Sequence, residues 1–165
     1  MSTRDSVQGN LSRLLDLVLR EDDRLLAVRR RFFGDDCTVS ASRVQQLLAD
    51  DVGIDRLESF GAKFARLQDT VVDKLIPVLL QAAGERAASA IDNLERMNRM
   101  GLISSADEWL EMRGLRNRLV HEYIDQPEEL ALALEHACRF TDRMHGDVAA
   151  MHQFASRRLG VGGAG

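Results

Sequence analysis

The segment Ile54–Val78 (IDRLESFGAKFARLQDTVVDKLIPV) decides how this chain folds. Ile54, Leu57, Phe60, Phe64, Leu67, Val71, Leu75 and Val78 follow in steps of three and four, which on a helix of 3.6 residues per turn puts them all on one face. Such a stripe marks a core helix that other helices must cover. Pro77 falls inside the pattern; because proline lacks an amide hydrogen and presses on the preceding turn, a kink or a tightened last turn is expected there, with Gly84 as the helix end.

The same periodicity extends outward in both directions. Val7, Leu11, Leu14, Val18, Leu25 and Val28 predict a first helix over about residues 5–31, closed by Gly34-Asp35-Asp36. Val44, Leu47 and Leu48 predict a shorter one over about 40–50, and Gly53 reads as a turn. Ile91, Leu94, Met97 and Met100 predict a helix over about 87–100, with Gly101 as its left-handed terminator. Ser105-Ala106-Asp107-Glu108 fits a capping box, in which the serine accepts from a first-turn amide and the glutamate answers the serine's own amide. Asp125-Gln126-Pro127-Glu128-Glu129 opens the last helix, whose stripe from Leu130 through Phe154 lasts to about Arg158. The glycine-rich residues 160–165 cannot hold a helix and read as a disordered tail. Long amphipathic helices joined by short polar turns predict an all-α antiparallel up-and-down bundle, one domain over residues 1–159.

Composition agrees with this reading. Two prolines and 5% aromatic residues argue against a sandwich or barrel, and 165 residues at 45% hydrophobic content suffice for one core. No apolar run reaches the roughly 18–20 residues of a bilayer span, so no membrane partner is expected. Cys37 and Cys138 are far apart, without CxxC spacing or a signal-peptide pattern, so reduced thiols and a cytoplasmic location are expected, a disulfide being the lesser alternative. The net charge of −4 argues against broad attachment to nucleic acid but leaves room for a small basic cleft.

Chemistry shows in Arg116-Asn117-Arg118-Leu119-Val120-His121-Glu122-Tyr123. Arginine offers planar donors for phosphate, and histidine moves protons near neutral pH. On a continuous helix Asn117 and His121 share a face, whereas Arg116 and His121 diverge by roughly 140°. To engage one phosphate they need the helix to end or bend near His121, or a second copy of the chain to complete the site. A two-fold axis beside this segment would gather two arginines and two histidines in one cleft.

The run Arg116-x4-His121-x-Tyr123, with Asn117 beside the arginine and a helical bundle around it, resembles the HEPN superfamily, in particular the HepT-like toxins paired with minimal nucleotidyltransferase antitoxins. The resemblance implies a HEPN-like four-helix core with short extra helices, and a homodimeric, metal-independent endoribonuclease that needs no cofactor. RNA is then the substrate, Arg116 and His121 are the catalytic pair, and Asn117 supports them. It further implies that Tyr123 accepts adenylyl groups from the partner nucleotidyltransferase. The competing reading within the superfamily is a non-catalytic module that binds a nucleotidyltransferase.

Other polar groups have plainer readings. Arg116, Asn117 and Arg118 could simply complement a helix dipole, with His121 as a C-terminal cap. Tyr123 could be an interfacial packing residue. His136, His145 and His152 are spaced nine and seven apart, without the i, i+4 pair of helical metal sites, and read as surface residues. Arg29-Arg30-Arg31 reads as a solvated helix end, and Trp109 with Met97, Met100 and Met112 as core filling.

Overall fold

The structure, a computed structural model, describes residues 2–119 and 125–161. Its elements are α1 (Thr3–Phe33), α2 (Ala41–Leu48), α3 (Asp51–Asp69), a π-helical segment (Thr70–Leu75), α4 (Ile76–Ala82), α5 (Ala90–Arg99), α6 (Ala106–Arg116) and α7 (Pro127–Arg158). The described residues contain no strand. None of these helices is long and apolar enough to cross a membrane.

Side-chain contacts fix the relative directions of the helices. Gln8 donates to the Leu159 carbonyl at 3.3 Å, Asp22 meets His145 at 2.7 Å, and Arg29 meets Asp142 at 3.1 and 2.9 Å, so α1 and α7 run antiparallel. The rings of Phe32 and Phe33 stack on or abut Phe60, while the start of α1 shares a cleft with Gln81 and Gly84, so α3 and α4 also oppose α1. Glu108 pairs with Arg143 at 3.1 Å while Met112, a turn further on, shares a groove with Arg139, so α6 opposes α7. The result is a closed up-and-down four-helix bundle of α1, α3/α4, α6 and α7, with α2 laid across α3 and α7 and α5 bridging α4 and α6. This is the architecture the apolar stripes predict.

The core follows the opening segment. Leu57, Phe60, Phe64, Leu67, Val71 and Leu75 are all buried, and a chain of rings runs from Phe32 through Phe60, Phe64 and Phe140 to Trp109. Proline inside the stripe widens the helix rather than tightening it. In a regular α-helix the Pro77 ring would press on the carbonyl of Asp73; here the chain takes a π turn over Thr70–Leu75, in which the Ile76 amide reaches back to Val71, and continues as α4.

Three local expectations change. Gly53 is no turn: it is buried in the first turn of α3, where its amide donates to the cap residue Asp50 at 2.8 Å. Arg29 is no solvated helix end either, since it is buried and spans Asp142, the Gly34 carbonyl and the Cys37 sulfur. Most clearly, Cys37 and Cys138 form a disulfide with their Cα atoms 5.6 Å apart, against the reduced thiols expected from spacing. Separation along the chain says nothing about separation in space, and α7 brings Cys138 beneath the loop that carries Cys37.

The α5 terminator is as expected. Gly101 takes φ 75°, letting the Leu102 amide reach the Met97 carbonyl at 3.0 Å and the Leu102 side chain enter the core. At the other end of the chain Gly160 takes φ 65°, and the Val161 amide bonds back to Ala155 at 3.0 Å. The rest of the expected tail, residues 162–165, lies outside the described residues.

Candidate functional site

The candidate site is built on α6. Ser105 caps this helix by accepting from the Glu108 amide at 3.1 Å, and Asn98 accepts from the Ala106 amide at 2.8 Å. Glu108 turns to Arg143 rather than back to the serine. Trp109 is fully buried, packs edge-on against Phe140 at 5.2 Å and donates its indole N–H to Asp147 at 2.9 Å. Met112 is buried one turn later. With that face anchored, Arg113 and Arg116 are turned toward α3.

There they meet two carboxylates. Arg116 donates through Nη1 to Asp69 and to the Ala65 carbonyl, the latter at 3.3 Å. Arg113 lies 3.3 Å from Asp73 and 3.6 Å from Asp69. Both guanidinium groups are mostly covered, with Arg116 at 18% exposure, whereas Asp69 at 47% reaches solvent. Among the described residues, every hydrogen bond of Arg116 runs through Nη1, and its Nε is buried without a partner. The neighbouring Gln68 is also fully buried, with neither amide atom paired.

Arg116 is the last residue of α6. Asn117 follows as the exposed cap, the amides of Arg118 and Leu119 both reach back to the Leu115 carbonyl at 2.9 and 3.2 Å, and Leu119 is fully buried. The helix therefore ends five positions before His121, and the face expected to be shared by Asn117 and His121 involves a residue outside the described ones. His121 and Tyr123 themselves lie outside the described residues.

Asp69 and Asp73 escaped the sequence reading. They stand four apart on the polar side of the segment that sets the fold, a spacing that would let both serve cations on one facing helix. Choosing α6 as that helix required the bundle. The remaining histidines gather no site: His145 faces the buried Asp22, and His136 is exposed. Among the described residues no three His, Cys, Asp or Glu side chains are grouped to hold a metal ion.

Four antiparallel helices that carry a mostly buried arginine to the end of one short member define a helical-bundle protein with a cationic group at a helix terminus. The chain matches the family described as Ribonuclease HepT-like over residues 53–136, from the first turn of α3 into α7. It belongs to this HepT-like family of the HEPN superfamily. No curated protein and no solved structure matches the chain.

Proposed function

We propose that this protein is a metal-independent endoribonuclease toxin that cuts RNA in a cleft shared by two copies of the chain. The observation that carries the reading is the family match across residues 53–136, which contains Arg116-x4-His121. The end of α6 at Arg116 supports it, because it removes the helical constraint that would hold arginine and histidine apart.

In this scheme one His121 takes the proton from a ribose 2′-hydroxyl, and the 2′-oxygen attacks the adjacent phosphorus. The bond to the 5′-oxygen breaks, and the second His121 of the dimer protonates that leaving oxygen. The products are a 2′,3′-cyclic phosphate and a 5′-hydroxyl. Arg116 holds the phosphate oxygens as their charge grows, and Asn117 supports the histidine or the phosphate. No step calls for a metal or cofactor. A separate minimal nucleotidyltransferase neutralises the toxin by adenylylating Tyr123, which sets a bulky anion at the mouth of the cleft.

The test compares wild type, Arg116→Ala and His121→Ala on a labelled RNA oligonucleotide, with the product ends identified by mass. Each variant is expected to lose about 100-fold or more in rate. Equal cleavage by all three overturns the assignment, and a stable complex with the nucleotidyltransferase without any cleavage would favour a docking module. Co-expression with the nucleotidyltransferase should add adenylyl mass to wild type but not to Tyr123→Phe.

A further inference from the structure

We infer that Asp69 is a positioning residue that presets the guanidinium of Arg116 for phosphate, an inference that rests on the ribonuclease reading. A free arginine side chain samples many rotamers and must be ordered whenever substrate binds. In this protein that ordering is built in. Nη1 is held at two points, the Asp69 carboxylate and the Ala65 carbonyl, both presented by α3 one turn apart. Two acceptors on one nitrogen, one of them main chain in a packed helix, fix the plane of the guanidinium as well as its place.

The surroundings of Asp69 match a positioning role. Arg113 approaches the same Asp69 oxygen at 3.6 Å and Asp73 at 3.3 Å, so a second cation helps to hold the carboxylate that receives Arg116. Two guanidinium groups against two carboxylates leave this quartet with no net charge. The quartet therefore adds little to the general attraction of RNA, and its contribution lies in direction. Nε is buried without a partner and Nη1 is occupied. Among the described residues Nη2 makes no hydrogen bond, and it is the edge of Arg116 that can be offered to a phosphate oxygen.

Asp69 also marks a break in helical geometry. It is the last residue of α3 before the π turn, and Asp73 lies inside that turn. A π turn changes the direction of the residues that follow relative to a regular helix. Of the two carboxylates that receive Arg116 and Arg113, Asp69 thus sits at the edge of the π turn and Asp73 within it.

The experiment uses the full chain, a cleavable RNA oligonucleotide and steady-state kinetics, with thermal melting of each variant. Asp69→Asn keeps the shape and removes the charge; kcat is expected to fall about 10- to 100-fold, as for a misplaced catalytic group, with KM within about threefold. Asp69→Glu keeps the carboxylate and should retain most of the wild-type kcat, which a loss of folding would not allow. Asp69→Asn at wild-type kcat or above it, or a loss confined to KM, overturns the inference. Arg116→Ala and His121→Ala are measured alongside. If both cleave like wild type, the ribonuclease reading itself has failed; if both are impaired while Asp69→Asn is not, only the role of Asp69 is lost.

Discussion

Asp147 holds the approach to α6 through one carboxylate that collects three donors. Trp109 Nε1 reaches it at 2.9 Å, and the Ser104 amide and hydroxyl at 3.1 and 3.2 Å. Burial pushes its pKa above the usual carboxylate range, more than the hydrogen bonds from Trp109 and Ser104 lower it. Asp147→Ala leaves the buried indole N–H unpaired and should cost about 2 kcal/mol near neutral pH, read from urea unfolding. The pH dependence has a definite sign. Because the folded-state pKa is raised, the native protein holds the proton more tightly than the unfolded chain, and that part of the stability is present at low pH and lost as pH rises through the folded-state value. The gap between wild type and Asp147→Ala should therefore widen as pH falls from 7 toward the ordinary carboxylate range; a gap that narrows would contradict it. At this scale the sequence made the apolar roles legible and hid the polar ones. Trp109 could be read as core because it is large and apolar, but nothing near Arg29 or Arg116 in the chain announces partners 113 and 47 residues away.

Among the elements, α2 and α3 meet where only glycine fits. A Cβ on Gly53 would lie 2.0 Å from the Leu47 carbonyl oxygen and 2.8 Å from its Cα, both backbone atoms that cannot swing aside. Gly53→Ala should thus force the two helices apart and lower the stability by about 1–3 kcal/mol, seen as a lower urea midpoint. An unchanged midpoint would show that the α2–α3 junction yields freely. The start of α6 was readable because its signal is local, Ser105 accepting from the amide three residues on; Ser40 and Ser89 cap α2 and α5 in the same way. The end of α6 was not. Nothing in Leu115-Arg116-Asn117-Arg118 stops a helix, and the chain turns there with Leu119 drawn into the core. Nor does a proline alone say whether its helix will kink or widen into a π turn.

For the molecule as a whole, the disulfide joins residues separated by 101 positions and ties the loop after α1 to α7, where Glu135 also accepts from the Val39 amide at 2.8 Å. A crosslink across so long a stretch restricts the unfolded chain strongly. Reduction, or replacement of both cysteines by serine, should lower the unfolding free energy by about 2–5 kcal/mol, and thiol labelling of the unfolded protein should find two reactive groups only after reduction. Labelling of both without reductant would refute the bond. By itself the sequence determined the helical class, the number of long helices and the face each long one buries, and it offered the octapeptide as a candidate site, because periodicity, caps and short motifs act over a few residues. On the short α5 the expected stripe slips, with Ile91 exposed and Asn93 buried. The tertiary structure alone decided which charged groups meet, that the cysteines are joined, and that α6 stops at Arg116 over Asp69. Those outcomes depend on how distant helices register against one another when the core closes, and no local pattern encodes that register.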